Sequence, residues 1–352
     1  MKKTKMAMGL ASLTLVCGAS FATLRTAYAE SSQNVRQIGK TTQSQQSNVK
    51  DIHDDVYALL KRLSLGLSAY RVSQGLLDSK YQITKDSPDG YSSPWLFQVT
   101  KEPFFYLSPD LNTKDSGDMS TNVTTFDNNS DSAIICSTPS FSYTGTDTTT
   151  STSTMGVSSG INTTVGINFP GVGESSISLS VNFNFSTTKS QTTSTSINWT
   201  VPPENISLKP HHKIRVYWML KNMTATGTAA MRARYRGIIP FAHYPFYPPE
   251  DGYSISQLLN DSSLISGDYW NSYTGESKDR WHAIAPNDPD YDPDDVAEGG
   301  DYDISQSTYS AKYGTEMYLR VDDITAGANN AETVAIIHVP NTTRKVLGQH
   351  AG

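Results

Sequence analysis

Cysteine is almost absent from this 352-residue chain, which has only Cys17 and Cys136. Cys17 lies in an apolar N-terminal segment that reads as a removable signal. Its loss leaves Cys136 alone, which excludes an internal disulfide framework. A mature chain of this size with one thiol must rely on burial for stability. Charge is also sparse, at 18% of residues with a net charge of −6. The basic excess of a nucleic-acid binder is missing, and an anionic protein gains nothing from anionic lipid. Catalytic motifs are missing too: there is no HExxH, no GxSxG, no Gly-rich phosphate loop and no Cys/His metal spacing. The run Asp288, Asp290, Asp292, Asp294 and Asp295 is the best metal candidate, but Pro293 and Gly299 stand where a calcium loop needs its Gly and its terminal Glu. It reads as a solvated acidic loop, and His211-His212 as turn residues before a strand. The expectation is no enzyme, no cofactor, no metal and no nucleic-acid partner.

Past the N-terminus, no apolar run is long enough to span a bilayer as a helix. The N-terminus reads as a secretory signal, with Lys2, Lys3 and Lys5, an apolar stretch over 6–24, and Ala27-Tyr28-Ala29 for cleavage after Ala29. Arg25, just after the apolar run, argues against a membrane anchor. Residues 30–50 read as a polar leader.

What is abundant is Tyr, Ser, Thr and Asn, a composition that favours strands. The most regular stretch is 144–199. Met155, Val157, Ile161, Val165, Ile167 and Phe169 alternate with Gly, Ser, Thr and Asn; Pro170, Gly171, Val172 and Gly173 break the run before Glu174; Ile177, Leu179, Val181, Phe183 and Phe185 then resume the alternation. Period-two alternation around a Pro/Gly turn is a β-hairpin, and folding about the turn can set Ile167 opposite Ile177 and Val165 opposite Leu179. Two readings are open: a hairpin covering the core of a β-sandwich, or a hairpin destined for a membrane. The uncharged polar face of the first arm, arms of about 10 residues each and long flanking Ser/Thr tracts favour the second. Transfer of the eleven apolar residues to lipid could supply on the order of 15 kcal/mol as an upper bound.

The hairpin and its surroundings resemble the aerolysin-type β-pore-forming toxins of the epsilon-toxin/mosquitocidal-toxin (ETX/MTX2) group. The residues that carry the resemblance are Asn128-Asn129-Ser130 and Thr138-Pro139-Ser140-Phe141-Ser142 before the hairpin, and Trp199-Thr200-Val201-Pro202-Pro203 with Lys213-Ile214-Arg215-Val216-Tyr217 after it. Tyr313-Gly314-Thr315-Glu316 and Val321-Asp322-Asp323-Ile324 extend it. The likeness covers 118–237 and 300–340. It implies a mainly β, elongated multi-domain protein with long antiparallel strands, an insertion hairpin at 155–186 and a small α+β, aromatic-rich head. It further implies a secreted toxin that meets a surface receptor (glycan or protein), is activated by proteolysis, and closes a barrel in the target membrane as a ring of about seven or eight subunits. An insecticidal member is the preferred setting; the competing reading is a secreted carbohydrate-binding module or adhesin without a pore.

The rest of the chain is placed around this hairpin. Leucines at helical spacing predict a helix over 51–72, with Asp51, Asp54 and Asp55 at its start. Residues 91–111 read as short strands and turns. Strands are expected over 214–220 and 231–239 with a polar turn between them, and Arg232, Arg234 and Arg236 read as a solvated strand face or a ligand patch. The head is assigned to 51–117 plus 240–312 and the body to 118–239 plus 313–340. Head aromatics Tyr244, Tyr247, Tyr269, Trp270, Tyr273 and Trp281 are candidate receptor contacts, about half of which should instead be core. Residues 341–352 read as a removable tail, with Arg344-Lys345 as the cleavage site.

Overall fold

The computed structural model describes residues 46–87, 97–154, 162–171, 175–186, 188–242, 252–285, 288, 292–339 and 342–351, all within the compact unit Gly39–Gly352. The expected signal with Ala29, and most of the expected leader, lie outside the described residues. In chain order the elements are helix α1 (Gln46–Ser73), strands β1 (Phe97–Asp127), β2 (Ile134–Ser137), β3 (Phe141–Ser153), β4 (Asn162–Pro170), β5 (Ser176–Asn184), β6 (Gln191–Val201), β7 (Asn205–Leu208), β8 (Lys213–Pro240) and β9 (Gly252–Ser254), then helices α2 (Ile255–Asn260) and α3 (Gly267–Thr274), strand β10 (Trp281–His282), helix α4 (Pro293–Glu298), and strands β11 (Gly299–Asp323), β12 (Glu332–His338) and β13 (Thr343–Ala351).

An antiparallel sheet in the order β1-β8-β11-β3-β6-β13 dominates, with β9, β10 and β12 attached at its margins. Strands β1, β8 and β11 carry it from head to body without a break, so the assigned boundaries at 117/118 and 312/313 fall inside continuous strands. The expected turn in the middle of β8 does not form. Asn222 pairs with both Gly117 and Gly314, and Gly227 with both Leu111 and Tyr309, so neighbours on each side hold the polar stretch extended. Residues 97–111 belong to one long strand rather than several short ones. Pro103 and Pro109 fall within register shifts of β1, which is an edge strand and tolerates a missing donor there.

Among the described residues, two apolar cores flank the centre of this sheet. In the head, α1 lays Leu59, Leu60, Leu63 and Leu67 against Tyr235, Trp270, Trp281 and Tyr302. Helix α1 begins by Gln46, so the three aspartates lie beyond its first turn and cannot act on its N-terminal dipole as expected. In the body, Ile197, Trp199 and Val201 of β6 pack with Trp218 and Leu220 of β8 and Leu319 and Val321 of β11. Residues 343–351, within the expected removable tail, are strand β13: they pair with β6 from Thr343↔Thr200 to Ala351↔Thr193 and form the edge of the sheet.

Of Arg232, Arg234 and Arg236 in β8, the first two depart from both readings made of them. Arg234 is 1% exposed and bonds Asp301 at 2.8 Å and Asp288 at 2.9 Å, while Arg232 bonds Asp303 at 2.6 Å. These two are closed off by the β11 carboxylates and by Asp288, not set on a solvated face or a ligand patch, whereas Arg236 stays partly exposed. The acidic run is divided between this network, a helix cap and exposed positions. Asp288 reaches Arg234, Asp292 caps α4, and Asp294 and Asp295 lie 3.8 and 3.9 Å from Arg236. Asp290 lies outside the described residues, and among those described no group of His, Cys, Asp and Glu is placed to hold a metal.

Candidate membrane-insertion hairpin

Strands β4 and β5 form a two-stranded sheet of their own. Burial follows the alternation: Val165, Ile167, Phe169, Ile177, Leu179, Val181 and Phe183 are buried, while Thr164, Gly166, Asn168, Ser176 and Ser178 are exposed. Phe185, just past β5, is also buried. The register differs by two residues from the expected one. Phe169 faces Ile177, Ile167 faces Leu179 and Val165 faces Val181. Beside the tip, the Gly171 N–H donates to the Ser175 carbonyl at 2.8 Å, in the same register. An even shift leaves every side chain on its face. Met155, Val157, Ile161, Val172 and Gly173 lie outside the described residues.

The hairpin is folded back on the body. Thr149 Oγ1 donates to the Ser180 carbonyl at 2.8 Å, Ser151 Oγ to Asn182 at 2.5 Å and Ser153 Oγ to Asn184 at 2.7 Å. Both series of numbers rise together, so β5 runs alongside β3 in the same direction, and β4, antiparallel to β5, runs opposite to β3. Alternate carbonyls along a strand lie on one edge. Here that edge of β5 meets side-chain hydroxyls instead of a neighbouring strand. The three donors are themselves buried. This gives the Ser/Thr tract of β3 a structural role in holding β5.

Aromatic side chains hold the apolar face. Phe105 of β1 lies 5.1 Å from the Phe183 ring; Tyr309 of β11 lies edge-on to Phe169 and Phe183 at 6.3 and 5.9 Å; Tyr313 lies 5.4 Å from Phe169. The Tyr313 hydroxyl donates to the Pro170 carbonyl at 3.0 Å and pins the tip. Tyr309 can lie across β8 because residue 227 is glycine; a Cβ there would come within 2.5 Å of its Cζ. Release of the eight buried apolar side chains into water would cost on the order of 12 kcal/mol. Because this face is already dry, transfer to lipid gains little further apolar burial. The 15 kcal/mol ceiling is therefore far from reached.

Flanking the hairpin, β3 and β6 pair from Phe141↔Val201 to Ser151↔Gln191. From Ser151 to Asn162 is eleven steps along the first arm, and from Asn184 to Gln191 is seven along the second. The two ladders are thus four residues out of phase. They can merge into one long hairpin only by a slip, which being even keeps each face intact.

The head residues divide. Trp270 and Trp281 are core, packed against α1 and Tyr302, and cannot present a surface to a receptor without unfolding the head. Tyr269 is half-buried, T-shaped to Tyr70 at 5.1 Å and stacked on Tyr273 at 6.3 Å, and Tyr273 is 38% exposed. Tyr244 and Tyr247 lie outside the described residues. Arg344 is turned inward from β13 onto the carboxylate of Asp147 and over the Trp199 ring, whereas Lys345 is exposed. Sequence reasoning gave Asp147, Tyr309 and Tyr313 no part in holding the hairpin, although Tyr313 stood in a motif of the resemblance. The one available signal was Asp147, a lone acid in a tract of Ser and Thr.

A family described as Clostridium epsilon toxin ETX/Bacillus mosquitocidal toxin MTX2 matches residues 96–335. The chain belongs to the ETX/MTX2 family. ETX/MTX2 proteins are aerolysin-type β-pore-forming toxins, and the fold agrees. The β-pore-forming protein Mpp75Aa1.1 of Brevibacillus laterosporus superposes with a TM-score of 0.54 at 19% identity, over 84% of this chain and 98% of that one. A non-toxic crystal protein of Bacillus thuringiensis gives 0.35 at 13% identity over 80% and 97%, and the parasporin-2 toxin of the same organism gives 0.33 at 11% over 68% and 75%. No curated protein matches this ETX/MTX2 chain by sequence.

Proposed function

We propose that this chain is a secreted pore-forming toxin that binds a surface receptor on its target cell, is trimmed by proteolysis, assembles with copies of itself and inserts the β4–β5 hairpin as one part of a transmembrane barrel. One observation carries the reading: a hairpin with an apolar face and an uncharged wet face is held folded back on the body, outside the main sheet, by side-chain contacts. A single hairpin leaves unpaired strand edges, which lipid cannot satisfy, so several protomers must close the barrel together. Val165, Ile167, Phe169, Ile177, Leu179, Val181, Phe183 and Phe185 then face lipid, with the Gly/Ser/Thr/Asn face lining the lumen.

With little apolar area left to gain, the drive for insertion comes from ladder hydrogen bonds between protomers, and water exposure of the hairpin is the barrier that keeps the closed form soluble. The mosquitocidal members of the family favour an insect target. Of the candidate head aromatics, Tyr273, with Tyr269 stacked beside it, is left to meet a receptor. Trimming at Arg344 or Lys345 requires β13 to leave β6 first, because a protease needs an opened segment.

The test is conductance across a planar bilayer containing target-gut lipid extract, before and after light trypsin treatment. Discrete current steps that appear after trimming support the reading. Silence from both samples at high concentration would overturn it.

A further inference from the structure

Strand β13 touches the hairpin through a short chain of polar contacts. Arg344 of β13 forms an ion pair with Oδ2 of Asp147 on β3. Oδ1 of the same carboxylate accepts from the Gly314 N–H of β11 at 3.0 Å. The residue before Gly314 is Tyr313, whose hydroxyl holds the Pro170 carbonyl and whose ring lies against Phe169 at the tip. Asp147 is 4% exposed. Burial pushes its carboxyl above the usual range in spite of the Gly314 N–H and the guanidinium.

We propose that the Arg344–Asp147 pair is the contact through which the C-terminal strand keeps the hairpin closed, with both residues in positioning roles. The proposal rests on the reading that β4–β5 is the inserting element. When β13 leaves, Arg344 is drawn off and Asp147 becomes a buried carboxylate with one N–H partner. An uncompensated buried charge is far costlier than a missing pair. While the carboxyl keeps its charge rather than taking up a proton, the cost is relieved by opening β3 and β11 to water at the point where the tip is held. Departure of the strand thereby loosens the hairpin directly, as well as baring the edge of β6. Loss of the charge itself has a different consequence: an asparagine at 147 can still accept from Gly314, and leaves only a partly exposed arginine unpaired.

The test uses the full-length chain in a Cys136→Ala, Leu179→Cys background, in which the new thiol reports exposure of the hairpin to a soluble reagent. Arg344→Ala should raise the labelling rate by at least about tenfold, since breaking one side of a buried pair is strongly destabilising. Asp147→Asn should raise it less, and the double variant should fall back toward Asp147→Asn. A double variant as fast as Arg344→Ala, or an Arg344→Ala protein no faster than its parent, overturns the proposal. If Arg344→Ala fails to fold by circular dichroism, Arg344→Lys decides: an increase smaller than that of Asp147→Asn supports the pair, and an equal or larger one refutes it. Labelling needs no membrane. Absence of dye release from gut-lipid vesicles by the trimmed parent would therefore sink the pore reading alone.

Discussion

Removing the three hydroxyls that hold β5 should free the hairpin before anything else unfolds. The perturbation is Thr149→Val, Ser151→Ala and Ser153→Ala together, which deletes the donors to Ser180, Asn182 and Asn184 while preserving the β3–β6 ladder. At about 1 kcal/mol net for each hydrogen bond, the closed hairpin loses about 3 kcal/mol. At 1.4 kcal/mol per decade this raises the open fraction about a hundredfold. The assay is thiol labelling at Leu179→Cys in urea below the global transition, compared with a control thiol at Ile197→Cys in the body core. The hairpin site should accelerate about a hundredfold, and the control by far less. Equal acceleration at both sites would mean general destabilisation, and none at either would mean that the hydroxyls do not hold β5.

Further predictions concern the head and the register. Trp270→Ala should cost about 3–5 kcal/mol of stability as a core truncation, whereas Tyr273→Ala should cost under about 1 kcal/mol and weaken cell binding, measured by thermal melts and cell pull-down. Asp303 should make the head acid-sensitive. Burial raises its carboxyl, but His282, Arg232 and Gln306 outweigh burial and hold it below the usual range. A depressed folded value means that the stability is present above the unfolded value of about 4 and is lost as pH falls through the folded one. Thermal midpoints measured against pH should show this loss in the parent and a flatter profile in Asp303→Asn. In the pore, cysteines at Val165 and Ile177 should cross-link if the tip ladder slips by four to join the β3–β6 register; in the soluble form the Val165–Val181 pair should cross-link instead.

The hairpin was legible in the sequence because its signal is local. Each of Val165, Ile167, Leu179 and Val181 declares its face through its neighbours two residues away. Its register was not legible, since a two-residue slip changes no face. The middle of β8 misled because small polar residues such as Thr224, Thr226 and Gly227 lose the alternation, and only partners more than eighty residues distant hold them extended. Sequence separation also hid the fate of Arg234 and Arg344, whose carboxylates lie 54 to 197 residues away. Trp270 and Tyr273 share a composition and a helix but not an environment, so aromatic enrichment marked the region without separating core from surface.

The most direct measurement of the central claim places single cysteines at Thr164, Val165, Gly166 and Ile167 in a Cys136→Ala background, each carrying an environment-sensitive dye, and compares trimmed protein before and after addition to vesicles. The account predicts that positions 165 and 167 report lipid while 164 and 166 stay in water. The same signal from all four positions, or no change at any of them while the vesicles leak, would contradict it.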